Sequence, residues 1–255
     1  YGYAWVALED PVADIPAVPE FDDPAFRTIF QFHEVWATSP LRALENSFDN
    51  SHFSFVHRST FGVPDAPKPS KYEIVENGAG FFAETVIAAA NPERFRRISG
   101  VSEPVTTRHM RNAYFQPFSR RLDIEYPSGI RHIIINCFTP IDDGHIQLCQ
   151  WLYRNDTEAD CPAQLLIDFD EEITREDKDI LESTDPDAVV DLRRRGVEEN
   201  RFRAFEKAST LIGCRNKATA PIATASGYIA PTVGKDYERW QVVAFISQTI
   251  NRPST

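Results

Sequence analysis

The sequence predicts an α+β fold, in which helices pack on a largely antiparallel sheet. Short segments rich in Ile, Val, Phe and Tyr crowd the stretch 58–160, and helical periodicities flank it on both sides. Two connections between these segments, Pro127-Ser128-Gly129 and Asp142-Asp143-Gly144, are turn sequences of the kind that close hairpins. Hairpins join antiparallel neighbours, so this order argues against alternating βαβ units.

The chain opens with an apolar, strand-like segment at 3–8. Pro11, Pro16 and Pro19 follow it, and a proline-rich stretch of this kind favours extended chain. We therefore expect residues 1–22 to be a strand that runs into a connector.

The stretch 40–57 carries a helical stripe. Four apolar residues and one histidine recur at steps of three or four: Leu41, Leu44, Phe48, His52 and Phe55. Pro40 suits the first helical turn, with Ser39 as the N-cap. We expect a helix that continues through about Ser51 and turns His52 inward.

Six strands are predicted after this helix, on the basis of β-branched and aromatic content and the turn sequences between them. They cover residues 71–75, 80–88, 114–118, 121–126, 131–138 and 145–153.

A second long helix is predicted at 163–183. Its stripe combines apolar residues with a carboxylate at one of two adjacent positions: Leu166, Phe169, Ile173, Glu176 or Asp177, and Ile180. Beyond it the sequence predicts a helix at 187–205, a loop at 218–231 and a strand at 240–250.

Composition excludes several functional classes. The net charge of −11 disfavours nucleic acid as a partner. No apolar run is long enough for a membrane span, and the first ten residues do not resemble a signal peptide. Four cysteines without CxxC or CxH spacing argue against a disulfide scaffold or a cysteine-ligated metal. The predicted compartment is the cytoplasm.

Both long helices place a polar, metal-capable residue within an apolar stripe. His52 lies between two phenylalanines, His57 follows five residues later, and Glu176 or Asp177 interrupts the second stripe. Two histidines and one carboxylate are the ligands of a facial ferrous site, although zinc suits them as well. Asp49, one turn before His52, would then orient a ligand imidazole. The alternative is a hydrogen-bonded core histidine without a metal.

Other candidates have weaker patterns. The acidic run 168–172 is interpreted as a solvated helix face, with Asp170 as a rival third ligand. The remaining histidines lack partner spacing, and surface or core polar roles are expected for them: His33, His109, His132 and His145.

The stretch from Asn46 to His57, NSFDNSHFSFVH, resembles the N-x-x-D-x-x-H-x-x-x-x-H motif of Rieske-type non-haem iron oxygenases. The similarity is strongest to the branch that contains vanillate demethylase, dicamba monooxygenase and pheophorbide a oxygenase. The opening YGYAWV resembles the segment that follows the Rieske domain in those proteins. The segment around Asp177, REDK, resembles the helix that supplies their third ligand.

The resemblance implies a helix-grip (START-like) domain, with a curved antiparallel sheet around a long helix and an apolar cavity. It implies a mononuclear Fe(II) held by His52, His57 and Asp177. Asp49 would connect the iron to a Rieske [2Fe-2S] cluster of a neighbouring subunit in a homotrimer, and Asn46 would lie near iron or substrate. The implied reaction is O2-dependent hydroxylation or oxidative demethylation of an aromatic or macrocyclic ring, with electrons from a reductase or ferredoxin.

The Rieske ligands are a departure from that family, because no CxH…CxxH pair occurs in this sequence. We therefore expect the chain by itself to bind iron, and substrate in addition, without turning over. The predicted organisation is a connector at 1–22, a catalytic domain at 23–205 and a C-terminal tail at 206–255. The competing functions are a non-catalytic START-like module that binds an apolar ligand, and a zinc hydrolase.

Overall fold

The computed structural model describes most of the chain up to residue 185 and one later segment. The described residues are 1–6, 14–68, 70–71, 73–76, 80–115, 118–185 and 244–247. The predicted helix at 187–205 and loop at 218–231 lie outside them. No helix within the described ranges is long and apolar enough to cross a membrane.

Nine strands and four α-helices make up the described fold. The strands are β1 Tyr3–Val6, β2 Arg27–Trp36, β3 Glu73–Glu76, β4 Gly80–Ala90, β5 Val105–Phe115, β6 Ser119–Glu125, β7 Arg131–Asp142, β8 His145–Arg154 and β9 Ala244–Ser247. The helices are α1 Pro40–Phe48, α2 Phe53–Val56, α3 Arg96–Ser99 and α4 Ala163–Ser183. Short 3-10 turns lie at Pro19–Phe21 and Glu93–Phe95.

One seven-stranded sheet dominates the fold. Its order is β2-β8-β7-β6-β5-β4-β3, and every neighbouring pair is antiparallel. β1 pairs with β9 in a separate two-stranded sheet. The long helix α4 packs on one face of the large sheet, so the predicted α+β class with an antiparallel sheet against a long helix is confirmed.

The two faces of the sheet have different coverings. On β8, Leu148 and Leu152 belong to clusters shared with α1 and α4, which therefore cover the inner face. Trp151, from the alternate positions, packs on the outer face against the N-terminal segment, with its ring 4.4 Å from that of Tyr3. Because both faces are covered, the central strands are buried along most of their length.

The helix α1 begins as predicted but ends early. The Ser39 hydroxyl accepts a hydrogen bond from the Arg42 amide (3.3 Å), which is an N-cap. The helix ends at Phe48 and not near Ser51, because Asp49 is extended and its side chain accepts bonds from the backbone and hydroxyl of Ser51. Such a side-chain turn competes with helix.

The break changes which residues face inward. His52 stays largely enclosed, with 13% of its side chain exposed, as predicted. Phe55 is 64% exposed, so its assignment to the inner stripe is wrong. A continuous helix would have kept Phe55 on that face, whereas the separate turn α2 rotates it to solvent.

The helix α4 has the predicted bounds, Ala163–Ser183. Its inner face ends at Leu181, which is 5% exposed, and not at the predicted Ile180, which is 49% exposed. Asp170 is 3% exposed, so its interpretation as part of a solvated face is wrong. The buried carboxylate accepts a hydrogen bond from Gln31 (2.6 Å) and lies 3.2 Å from His132 Nε2.

A row of polar side chains crosses the inner face of the sheet and leads to that carboxylate. Arg120 donates to the Asn136 amide oxygen (3.2 Å), and Asn136 donates to Gln150 (2.5 Å). Gln150 donates to Gln31 (2.8 Å), at the irregularity that interrupts the pairing of β2 between residues 30 and 32. The row gives buried amides the partners they need, and it fixes their orientation.

His132 is a buried, neutral member of this inner face. The Arg154 guanidinium donates to Nδ1 (3.2 Å), so the other nitrogen, Nε2, carries the proton and faces Asp170. Burial lowers the pKa of His132, and although Asp170 opposes this effect, the nearby positive charges of Arg154 and Arg108 add to it.

Acidification is therefore expected to destabilise the fold through His132. The unfolded chain takes up this proton near its ordinary pKa of about 6.5, while the folded chain resists it. The stabilisation is complete above that pH and is lost as the pH falls, by at most about 1.4 kcal/mol per pH unit. Between pH 7 and pH 5, the free energy of unfolding measured with urea should decline less steeply in His132→Gln than in the parent. His145→Gln, at a half-exposed position, is the control and should keep the parent's slope; equal slopes for all three proteins would contradict the assignment.

Candidate metal centre

Three predicted ligands, His52, His57 and Asp177, converge at the inner face of α4. The two imidazole Nε2 atoms are 3.1 Å apart, and Asp177 Oδ1 lies 3.4 Å from His52 Nε2 and 3.2 Å from His57 Nε2. The turn that starts α2 and the turn that follows it aim the two rings at the same point. The number of residues between these side chains in the sequence does not by itself predict the distances between their atoms.

The triangle has the dimensions of a metal site. Ligand atoms about 2.1 Å from a metal lie about 3.0 Å apart at right angles and about 3.4 Å apart at tetrahedral angles. The observed separations cover this interval, so the donor set fits both Fe(II) and Zn²⁺. Asp177 Oδ1 and His52 Nδ1 are buried without a hydrogen-bond partner among the described residues. A cation between the three donors would satisfy the carboxylate oxygen.

Mutual attraction between the charges sets the protonation of this cluster. Burial alone would lower the pKa of His52, but the carboxylates of Asp177 and Asp49 outweigh it and raise that pKa to about 9. Burial alone would raise the pKa of Asp177, and the two imidazoles instead bring it well below its usual range. The raised pKa of His52 and the lowered pKa of Asp177 favour a protonated imidazole beside an ionised carboxylate, and metal binding would have to release that proton.

His57 is held by a network that the sequence did not predict. Its Nδ1 lies 2.8 Å from Glu176 Oε2, and Glu176 also accepts bonds from the hydroxyls of Ser59 and Thr60. Phe61 stacks on the ring with centroids 4.8 Å apart. The helical stripe did point to this turn, because it admitted either Glu176 or Asp177. In the structure both carboxylates contact His57.

Asp49 and Asn46 lie near the cluster on the side of α1. Asp49 Oδ2 is 3.7 Å from His52 Nδ1, a distance for charge attraction that is too long for a hydrogen bond. The predicted position, one helical turn before His52, is wrong because α1 has already ended. Asn46 lines the same cavity as His52 and Asp177.

The rival ligand does not join this cluster. Asp170 is occupied by Gln31 and His132. Among the described residues, the only histidine–carboxylate group of metal-binding dimensions is that of His52, His57 and Asp177. His33 and His109 are exposed, and His145 is half exposed and pairs with Asp142 at a turn, which are the surface positions expected for them.

A cavity of about 90 Å³ opens beside the cluster, between α4 and the inner face of the sheet. Its apolar walls include Phe61, Phe138 and Phe169, and the polar row contributes Arg120 and Asn136. A buried water needs about 10–15 Å³ of such space. The cavity therefore has room for several waters or for one small ring system next to the candidate metal ligands.

Comparison with known families decides the identity of this domain. Residues 36–204, about two thirds of the chain, match the family described as the vanillate O-demethylase oxygenase C-terminal domain. The chain belongs to this family. Its members are catalytic domains of Rieske-type ring-hydroxylating oxygenases.

Proteins similar to this chain include bacterial demethylases. The methylxanthine N1-demethylase NdmA of Pseudomonas putida is 27% identical over 197 residues, which cover 75% of this chain and 53% of that protein. The methylxanthine N3-demethylase NdmB of the same species is 25% identical over 190 residues, 73% of this chain and 51% of that protein. The chain thus spans about half the length of these two relatives.

Solved structures with the same fold include two oxygenases. An NdmA mutant from Pseudomonas putida CBB5 with theobromine has a TM-score of 0.60 at 21% identity, over 78% of this chain and 53% of that one. Dicamba monooxygenase bound to dicamba has a TM-score of 0.63 at 18% identity, over 81% of this chain and 63% of that one. At these identities the likeness establishes the fold alone.

Proposed function

We propose that this chain is the catalytic domain of a terminal oxygenase that hydroxylates or oxidatively demethylates a ring substrate with O2. His52, His57 and Asp177 would hold one Fe(II). The observation that supports this proposal is the convergence of two histidines and one carboxylate, within 3.4 Å of one another, beside a cavity in a domain of this family. Bound Fe(II) would supply the position at which dioxygen is reduced.

The residues around the ligands would fix their orientation. Glu176 accepts the Nδ1 proton of His57, so that the lone pair of Nε2 faces the centre, and Asp49 attracts the corresponding side of His52. Phe53 and Phe61 pack against each other beside the imidazoles and exclude water from that side. Asn46, on the cavity wall, would contact the substrate.

Electrons would come from a Rieske [2Fe-2S] cluster, and Asp49 would lie on the path from that cluster to His52. A neighbouring subunit of a homotrimer is the proposed location of the cluster, with a reductase or ferredoxin as the soluble donor. We place the protein in the cytoplasm. That the chain does not turn over by itself stays a prediction, as do the domain limits at 1–22, 23–205 and 206–255.

The cavity also favours a second candidate function. A START-like module without catalysis would use the same space for an apolar ligand. It would neither need the three donors at metal-binding distances nor bind iron. A zinc hydrolase would use the three donors, but it would act without reductant or oxygen.

Anaerobic loading with Fe(II) separates these functions. We expect about one iron per chain, and, once joined to a Rieske domain and supplied with a reductase, substrate oxidation that requires both O2 and reductant. Elemental analysis, oxygen uptake and product analysis measure these results. A metal-free chain with a bound apolar ligand would favour the binding module. Hydrolysis that depends on zinc and proceeds without oxygen would favour the hydrolase.

A further inference from the structure

Gly62 is a buried glycine whose backbone conformation does not require a glycine. Its φ lies outside the left-handed region, unlike that of Gly129, which is 84°. A Cβ atom at this position would, however, overlap the carbonyl oxygen of Phe53 and lie 2.8 Å from that of His57. Both neighbours are backbone atoms, so no flexible side chain could move aside. The glycine is therefore needed for the close approach of two backbone segments.

The two carbonyl groups belong to the segment that carries both candidate histidine ligands. Phe53 opens α2 directly after His52, and His57 follows the last residue of that helix. The Phe53 carbonyl also accepts the bond from the His57 amide (3.1 Å) that closes the helical turn. Gly62 thus packs on the backbone that sets the spacing between the two imidazoles.

Residues 58–62, the covering turn, fold back over His57. The His57 carbonyl accepts bonds from the amides of Gly62 (2.7 Å) and Thr60 (3.1 Å). On the other side, the Ala90 amide of β4 donates to the Phe61 carbonyl (2.8 Å). These bonds hold the covering turn between α2 and the sheet.

The covering turn supplies the side chains that hold the His57 ring. Phe61 stacks on the imidazole, with centroids 4.8 Å apart and planes 26° from parallel. The hydroxyls of Ser59 and Thr60 donate to Glu176. Glu176 in turn faces His57 Nδ1 at 2.8 Å. A turn displaced from α2 would carry the stacked ring and both hydroxyls with it, and the imidazole would lose its fixed direction.

We propose that Gly62 is a positioning residue for the candidate metal centre. Because it lacks a side chain, the covering turn can close on α2, and that closure fixes the direction in which His57 presents Nε2. The inference rests on the proposed function for the identity of the metal, whereas the direction of the ring concerns the chain alone. An alanine at this position would push the covering turn outward without removing a metal ligand, so it should weaken and distort metal binding but not abolish it.

Metal binding is the first measurement. Co(II), whose visible absorption depends on the arrangement of its ligands, is titrated anaerobically into the full metal-free chain. We expect Gly62→Ala to bind Co(II) about 10- to 100-fold more weakly than the parent, the range for changes around metal ligands, and to shift the absorption bands. Phe61→Leu, which removes the ring that stacks on His57, should also weaken binding and shift the bands.

Two other glycines separate positioning from stability. Gly129→Ala places a side chain in open space at a φ of 84°, so its melting temperature should fall through backbone strain alone. A Cβ atom at Gly144 would meet only the Asp142 carboxylate, at an ordinary 3.7 Å, so Gly144→Ala should keep the parent's melting temperature. Both variants should keep the parent's Co(II) affinity and absorption bands.

The direction of the His57 ring is measured without metal. The ¹⁵N chemical shifts of this ring, assigned by their absence from His57→Gln, report the hydrogen bond between Nδ1 and Glu176. They should differ from the parent's in Gly62→Ala, because the hydroxyls that orient Glu176 are displaced. They should be unchanged in Gly129→Ala.

Parent-like Co(II) affinity, absorption bands and ¹⁵N shifts in Gly62→Ala would overturn the proposal. If that variant does not fold, the same result in Phe61→Leu would overturn it. Equal weakening of Co(II) binding by Gly129→Ala, at a similar loss of melting temperature, would also do so. A parent that binds neither Co(II) nor Fe(II) would refute the metal centre, and the ¹⁵N shifts would then still decide whether Gly62 positions His57.

Discussion

Replacing His57 with alanine is expected to reduce bound iron from about one ion per chain to almost none, and to abolish substrate oxidation. His57 supplies one of three converging donors, and its ring is 1% exposed and held by Glu176 and Phe61. Two remaining donors cannot hold the ion against water, because metal affinity depends on a complete, preformed donor set. Elemental analysis after anaerobic loading and desalting measures the loss.

The control separates ligation from general loss of histidine. His145→Ala removes a half-exposed imidazole that pairs with Asp142 at a turn, and it should retain full iron. Asp177→Asn should lose iron as His57→Ala does, whereas Asp170→Asn should keep it. Iron that survives in Asp177→Asn but disappears in Asp170→Asn would move the third ligand to Asp170. Iron that survives in all four variants would place the metal elsewhere.

The ambiguity between Glu176 and Asp177 shows what a helical stripe can and cannot determine. Adjacent residues are 100° apart around a helix, so both can border the same face. The structure directs Asp177 toward the Nε2 atoms and Glu176 toward His57 Nδ1. The stripe therefore indicated one turn of α4, the family resemblance favoured Asp177, and the contacts of His57 distinguish the two carboxylates in the structure.

Local turns limited the prediction of the motif segment. The apolar stripe continued across Asp49, but Asp-Asn-Ser is also a turn sequence, and the side chain of Asp49 captures Ser51. The consequence is an exposed Phe55 and two short helices in place of one. The stripe still placed His52 correctly, since the turn returns it to the inner face.

The two strands that were missed, β2 and β5, contribute to the cavity wall together with the predicted strands β6, β7 and β8. β5 alternates as a strand should, but its inward positions include Thr106, Arg108 and Asn112, which do not resemble a core. β2 was missed because the irregularity at Gln31 disrupts its alternation. An arginine in a sequence is interpreted as a surface residue, so the buried position of Arg108 follows only from the assembled sheet.

Asp49→Asn is expected to separate iron binding from electron delivery. Iron affinity should fall by no more than about 10- to 100-fold, the range for residues that orient a ligand. Substrate oxidation, in a protein that joins this domain to its Rieske domain, should fall well beyond that. The reason is that Asp49 Oδ2 faces His52 Nδ1 at 3.7 Å, on the side of the imidazole away from the cluster of donors.

The asparagine variant preserves the local structure. Its amide oxygen can still accept the bonds from the backbone and hydroxyl of Ser51, so the turn between α1 and α2 remains. What changes is the carboxylate oxygen that faces His52, which becomes a neutral amide. Asp49→Ala would also remove the turn, and a larger loss of stability in that variant, measured by urea unfolding, would verify the distinction.

Electron transfer is measured directly by the rate at which the reduced Rieske cluster is reoxidised in the presence of substrate and O2. That rate should fall in Asp49→Asn, while iron content and substrate binding remain near those of the parent. Asp65→Asn, at an exposed loop position of the same chain, should behave as the parent does. If Asp49 only stabilises the turn, Asp49→Asn keeps the parent's reoxidation rate, because the acceptor oxygen is still present. A parent-like rate with normal iron would therefore eliminate Asp49 from the electron path.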